Sequence, residues 1–145
     1  MRRFLVIGVA VCLAWPAAVS PGQETQPEPE AVSLLGRPLY AVPASGEAQA
    51  KLEKDLADAR AGRRDRPNDP QALIRLGRSL AALWRFHEAI DVYSEGIQRW
   101  SDDPLLFRHR GHRFISIRDF EKAIIDLVKA RTLKDNDFDI LYHLG

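Results

Sequence analysis

A 34-residue repeat is the feature that most constrains the fold of this chain. Two residue types recur at this spacing in the same order, namely Asp69, Asp103 and Asp137, and Gly77, Gly111 and Gly145. A fixed period of roughly 20 to 50 residues is the signature of stacked structural repeats, because each unit buries its apolar face against the next unit. The sequence therefore predicts a repeat array over residues 69–145.

Each unit has the pattern of two antiparallel helices. The units begin at Asp69-Pro70 and at Asp103-Pro104, where aspartate caps free N–H groups and proline is tolerated at the first helical position. Apolar residues then recur at steps of three and four, which is the spacing of one helix face: Leu73, Leu76, Leu80 and Leu83, and after a turn Phe86, Ala89, Ile90, Tyr93 and Ile97. The second unit repeats this pattern.

The framework residues resemble those of the tetratricopeptide repeat family. The matching motifs are Leu73-x-x-Leu76-Gly77-x-x-Leu80 with Ala89-x-x-x-Tyr93, and Phe107-x-x-Arg110-Gly111-x-x-Phe114 with Ala123-x-x-x-Leu127. The resemblance implies an all-α fold, an α-solenoid of antiparallel helix hairpins. It divides the chain into units at 70–103 and 104–137 and half of a third unit at 138–145. An amphipathic helix at 46–66 is expected to cover the open end of the array.

Four positions depart from the family pattern. Arg110 stands where the family has leucine, and Gly96 stands where it usually has alanine. Trp84 and Arg118 stand where a turn glycine is common. Arg110 has two interpretations: its stem lies along the groove with the guanidinium group in water, or it pairs with a carboxylate such as that of Asp126. We favour the first, because a long basic side chain readily covers apolar surface with its stem.

The first 22 residues have the composition of a secretory signal peptide. A basic start, Met1-Arg2-Arg3, precedes an apolar run from Phe4 to Val19 and then small residues. The alternative is an uncleaved membrane anchor. Cys12 raises the question of a lipoprotein, but valine directly before it and its place in the middle of the run disfavour lipidation. We therefore expect export to the periplasm or beyond, and no stable membrane span after signal cleavage.

Residues 23–45 are rich in proline, glutamate and glutamine and are predicted to be a flexible linker. The stretch Leu34–Tyr40 is more apolar than a linker requires. It either lies back on the helical array or remains an apolar part of the linker.

The resemblance implies that a ligand lies in the concave groove lined by the first helix of each unit. Carried over by repeat register, the candidate partner-binding residues are Arg75, Arg78, Arg108, His109, His112, Tyr142 and His143. Guanidinium groups form forked hydrogen bonds with carboxylates, so the hypothesis is a groove for an acidic peptide or the C-terminus of a partner protein. The alternative is an ordinary solvated helix face.

No pattern in the sequence indicates catalysis or a cofactor. His109, His112 and His143 share a face, but neighbouring arginines disfavour a metal ion there. The 21 basic and 20 acidic residues nearly cancel, which disfavours nucleic acid as a partner.

The sequence thus predicts an exported, non-enzymatic scaffold that binds a protein or peptide. The alternative is a regulatory or assembly module of a longer exported protein, such as an enzyme, whose C-terminal part is missing here. Because the sequence stops inside the first helix of a unit, self-association through the open C-terminal end is also expected.

Overall fold

The computed structural model describes residues 28–42, 44–134 and 142. Its elements are two short strands, β1 (Ala31–Val32) and β2 (Pro38–Leu39), and five helices: α1 (Gly46–Asp65), α2 (Pro70–Ala82), α3 (Phe86–Arg99), α4 (Pro104–Ser116) and α5 (Phe120–Leu133). Each helix packs against the next one in sequence, and α2 also contacts α4. The predicted all-α solenoid of helix hairpins is therefore confirmed.

The repeat units begin where their aspartates cap a helix. Asp69 Oδ1 accepts a hydrogen bond from Gln71 N at 2.9 Å, and Asp103 Oδ1 accepts one from Leu105 N at 2.8 Å. Proline follows each cap at the start of the helix. These caps satisfy N–H groups that have no partner inside a helix, so α2 and α4 start at equivalent points of the repeat.

The turn inside each hairpin contains a non-glycine residue in the left-handed region. Trp84 has φ +62° and Arg118 has φ +68°. Arg85 N donates to Leu80 O at 3.1 Å, and Asp119 N donates to Phe114 O at 2.9 Å. This hydrogen bond closes a helix end whose following residue is left-handed, which reverses the direction of the backbone between the two helices of a hairpin.

The core lies between successive helices rather than around a single centre. Leu56, Leu73, Tyr93 and Leu106 come from α1, α2, α3 and α4, and each is at most 1% exposed. A smaller cluster joins Phe107 of α4 to Ala130 of α5. Helix α1 thus covers the outer side of the first hairpin, and it ends at Asp65.

Part of the predicted flexible linker is attached to the helices. Strands β1 and β2 pair antiparallel, and Glu30 Oε2 accepts a hydrogen bond from Phe86 N at 2.9 Å. Helix α3 has no side-chain cap of its own at Arg85, so the carboxylate of Glu30 supplies the acceptor that its first turn requires. The apolar Leu34 and Leu35 do not make this contact, since they are 81% and 82% exposed.

Within the described part of the protein, no helix combines the length and the apolar character needed to cross a bilayer. The predicted signal peptide, residues 1–22, lies outside the described residues. So does the predicted half unit 138–145, apart from Tyr142.

Candidate functional site

The first helices of the two hairpins carry most of the predicted groove residues. Helix α2 presents Arg75 and Arg78 to solvent, whereas Arg108, His109 and His112 are partly buried on α4. Tyr142 is exposed, and His143 lies outside the described residues. Helices α2 and α4 are in contact, so the predicted groove residues of these two helices lie on neighbouring helices.

A cavity of about 320 Å³ lies between α2 and α4. The residues that line it are Arg78, Ala81, Ala82, Tyr93, His109, His112 and Arg113. Three of these, Arg78, His109 and His112, were predicted as partner-binding residues. Among the described residues, the lining contains two guanidinium groups and no carboxylate, so its charge favours an anionic ligand group.

Tyr93 belongs to α3, and it lines this cavity together with residues of α2 and α4. The residue is 1% exposed, and its ring stacks on that of His109 with 5.6 Å between centroids and 17° between planes. Burial raises the pKa of Tyr93 to about 12, so the phenol is protonated at neutral pH. In the described part of the protein Tyr93 Oη has no hydrogen-bond partner. Its hydroxyl group is therefore a donor available at the cavity.

His109 is held in its neutral form. Burial lowers the pKa of His109 to about 3, and nearby cationic groups, Arg108 first among them, act in the same direction. Its ring meets that of His112 edge to face, with 6.4 Å between centroids. A neutral imidazole offers one donor and one acceptor, so the permanent positive charges of the cavity belong to Arg78 and Arg113.

Arg113 is packed against an aromatic ring. Its guanidinium carbon lies 5.5 Å from the centroid of Phe86. Burial lowers the pKa of Arg113 from its ordinary value, but an arginine side chain remains charged in a protein. Within the described residues neither Arg113 nor Arg78 has an ion-pair partner. Both charges are therefore available to a ligand.

Sequence reasoning did not select Tyr93 or Arg113 for the site. Tyr93 was assigned to the repeat framework, and Arg113 was not among the candidate residues. Arg113 follows His109 by four residues, which places both on one helix face, and this spacing could have identified it. The hydroxyl group is the only signal that distinguishes Tyr93 from a framework phenylalanine.

Arg75 lies in a second cavity, of about 480 Å³, between α1 and α2. Its lining consists of Asp55, Asp58, Arg75, Arg78 and Ser79. This part of the groove therefore has both signs of charge, and Arg78 lies between the two cavities. Of the cavities lined by described residues, neither of these two brings Arg75 together with the predicted residues of α4.

Arg110 lies outside the groove, and the favoured interpretation of this residue was wrong. Its Nε and Nη2 donate to the two carboxylate oxygens of Asp126 at 2.7 and 2.8 Å. Asp126 is 3% exposed, and a buried carboxylate requires a partner. The need to neutralise Asp126 therefore determines the orientation of Arg110.

Among the described residues, no group of three or more His, Cys, Asp or Glu side chains is arranged to hold a metal ion. His109 and His112, two members of the histidine set considered above, are neighbours in the 320 Å³ cavity, and the third, His143, is not described.

Comparison with known proteins identifies relatives by sequence. No protein-family model matches the chain. It is 28% identical over 96 residues to human (Homo sapiens) tetratricopeptide repeat protein 12, and 29% identical over 96 residues to the mouse (Mus musculus) protein of that name. Each match covers 66% of this chain but only 14% of the relative. In sequence, in repeat length and in its helix hairpins, this protein is similar to tetratricopeptide repeat proteins.

Proposed function

We propose that this protein is a non-enzymatic scaffold whose concave groove, formed by α2 and α4, binds a peptide segment of a partner protein. The observation that carries the proposal is the 320 Å³ cavity between these helices, whose lining, as far as the described residues go, has two guanidinium groups and no carboxylate. Repeat arrays present extended concave surfaces of this kind, because successive units are related by a small rotation.

The charge of the cavity supports an acidic segment as the ligand. Arg78 and Arg113 have no ion-pair partner among the described residues, and each presents a planar set of donors that matches a carboxylate. Arg78 is exposed, whereas Arg113 is partly buried. The exposed charge contributes mainly to attraction and orientation of the partner, and the buried charge contributes more to its retention.

A peptide-capture experiment tests this proposal. The immobilised full-length protein is incubated with a defined pool of random dodecapeptides, and the captured peptides are identified by mass spectrometry. Acidic peptides should be enriched on the wild-type protein, and the variant Arg78→Glu/Arg113→Glu should lose this enrichment. The matched control is Arg60→Glu/Arg131→Glu, which makes the same charge change at exposed positions of α1 and α5.

Two results would contradict the groove function. One is the absence of any peptide captured by the wild-type protein above the blank matrix. The other is equal enrichment of acidic peptides by the groove variant and by the control variant, since a difference in total charge alone would then explain the binding.

Export is the second part of the proposal. It is supported by the order of basic, apolar and small residues in positions 1–22. Fusion of residues 1–22 to a reporter enzyme that is active only after export provides the test. An active reporter with a shortened N-terminus is the expected result, and an inactive, unprocessed fusion would refute export.

A further inference from the structure

The cavity between α2 and α4 has the features of an anchor subsite. We propose that it holds the carboxylate of one acidic residue of the partner peptide, and that Tyr93 Oη and the Arg113 guanidinium are its principal donors. The carboxylate comes from an Asp or Glu side chain or from a peptide C-terminus. This inference rests on the proposed groove function and assigns roles to two residues that the repeat pattern does not mark.

The first support is the position of the Tyr93 hydroxyl group. The residue is 1% exposed and its ring is fixed by the stack on His109. A Cβ atom built on Gly77 would lie 2.8 Å from Tyr93 Oη, so the hydroxyl group lies directly beneath the backbone of α2. Tyr93 Oη forms no hydrogen bond with the described residues, and it is not one of their fully buried side-chain atoms without a partner, so the atom is accessible from the cavity. A ligand oxygen in the cavity supplies the missing acceptor.

The second support is the restricted orientation of Arg113. Its guanidinium group lies against the ring of Phe86, with 5.5 Å between the guanidinium carbon and the ring centroid. Such packing reduces the conformational freedom that an arginine loses when it binds. Arg113 and Tyr93 come from different helices, α4 and α3, and line the same cavity. A planar fork and a single O–H group suit the two oxygens of one carboxylate.

The size and charge of the cavity are compatible with one carboxylate group. About 320 Å³ admits a short side chain with its adjoining backbone. His109, whose pKa is about 3, adds no positive charge at neutral pH. One of the two charges of Arg78 and Arg113 is sufficient to neutralise a carboxylate, whereas a doubly ionised phosphoryl group would require both, so binding of a phosphoserine peptide is the outcome that the test must separate.

Peptides that differ in one group provide the test. Acetylated and amidated dodecapeptides from the capture experiment are resynthesised with Glu, Gln or phosphoserine at the selected position, and the alanine version is also made with a free C-terminal carboxylate. Dissociation constants are measured for the full-length wild-type protein and for Tyr93→Phe and Arg113→Met. These variants keep the aromatic ring and the long stem, respectively, and circular dichroism checks that they fold.

The matched controls are Tyr40→Phe and Arg131→Met, which remove the same groups at exposed positions far from the cavity in sequence. The wild-type protein should bind a carboxylate peptide about tenfold more tightly than its neutral counterpart, as expected for one charge-assisted contact. This ratio should approach one in Tyr93→Phe and in Arg113→Met and remain unchanged in the two controls.

A second measurement requires no variant. Acetate is titrated into the labelled wild-type protein, and the ring signals of Tyr93 and the Nε signal of Arg113 are followed by NMR. Saturable shifts of both are expected, whereas chloride at equal ionic strength should not produce them.

The outcomes distinguish the subsite from the groove function. If carboxylate preference persists in both variants, or if acetate leaves both residues unaffected, the subsite assignment is wrong while peptide binding by the groove stands. Stronger binding of phosphoserine than of Glu would replace the carboxylate by a phosphoryl group. If the wild-type protein binds no peptide at all, the groove function fails and the subsite fails with it.

Discussion

Arg110 of α4 and Asp126 of α5 form a two-point ion pair, with Nε to Oδ2 at 2.7 Å and Nη2 to Oδ1 at 2.8 Å. Arg110 Nη1 also donates to Ser94 Oγ of α3 at 3.1 Å. One guanidinium group therefore links three successive helices across the boundary between the two repeat units. Arg110 occupies the position where the repeat pattern has an apolar leucine. Polar contacts therefore replace part of the apolar packing at this position.

The two halves of this pair should respond differently to substitution. Arg110→Leu leaves the 3%-exposed carboxylate of Asp126 without its cation, and we expect the free energy of unfolding to fall by about 3 kcal/mol. The double variant Arg110→Leu/Asp126→Leu removes both charges, and its stability should lie within about 1 kcal/mol of the wild type. Urea denaturation of the three proteins measures this. A neutral effect of Arg110→Leu alone would show that Asp126 does not depend on the pair.

Gly77 and Gly111 occupy the same repeat position but differ in the space around them. A Cβ atom on Gly77 would lie 2.4 Å from Tyr93 Cζ, whereas on Gly111 the nearest atom is Leu127 Cγ at 3.0 Å. Gly77→Ala should therefore cost about 2 kcal/mol through overpacking, despite the higher helix propensity of alanine. Gly111→Ala should change stability by less than about 1 kcal/mol, because the propensity gain offsets a small shift of Leu127.

Thermal and urea unfolding of the two glycine variants provide the comparison. Adding Tyr93→Leu to Gly77→Ala should recover part of the loss, since it removes the ring atoms nearest to the new methyl group. Equal effects of the two alanine substitutions would mean that the tyrosine ring moves aside without cost.

Arg118 has a left-handed backbone conformation, φ +68°, that glycine adopts more easily. Its side chain lies near the ring of Phe120, and its Nε is buried without a hydrogen-bond partner among the described residues. Arg118→Ala removes these side-chain groups but retains the strain, so it is the matched reference for Arg118→Gly. The glycine variant should be more stable than the alanine variant by about 1 kcal/mol. An alanine variant that equals or exceeds it in unfolding temperature would contradict this.

The sequence was sufficient for the helices because their determinants are local and periodic. The caps Asp69 and Asp103 and the apolar spacing within each hairpin follow directly from residue order. Contacts between distant residues were not predictable in this way. Glu30 bonds to Phe86, which is 56 residues away, and no local pattern indicates that pairing. The linker was therefore predicted to be flexible, and only the apolar stretch Leu34–Tyr40, not Glu30, was considered as a segment that lies back on the helices.

The site was predicted in part for a similar reason. The repeat register predicted that Arg78, His109 and His112 lie on the groove side of α2 and α4. In the structure these three residues line one cavity. The resemblance assigns the ligand groove to the first helix of each unit, so the prediction did not include Tyr93, which lines the cavity from α3. The register also could not decide the direction of Arg110, because Asp126 lies on another helix and its burial depends on packing.

His109 should make the stability of the protein depend on pH. Its pKa is about 3 in the folded protein, against an ordinary value of 6.5. Between these values the unfolded protein binds a proton that the folded protein does not, so falling pH favours unfolding. The stability that the neutral imidazole contributes is therefore fully present above pH 6.5 and decreases as the pH falls toward 3.

The measurement compares the wild type with His109→Gln, which is neutral at every pH. Between pH 7.5 and 5, the stability of the wild type relative to this variant should decrease by at most about 1.4 kcal/mol per pH unit below pH 6.5. Acidic groups common to both proteins cancel in this difference. His87→Gln controls for the loss of an exposed histidine from the neighbouring helix. NMR gives an independent reading, because the ring signals of His109 should not titrate between pH 8 and 5. A titration near pH 6.5 would show that the imidazole is open to water, and the stacking of its ring on Tyr93 would then not persist in solution.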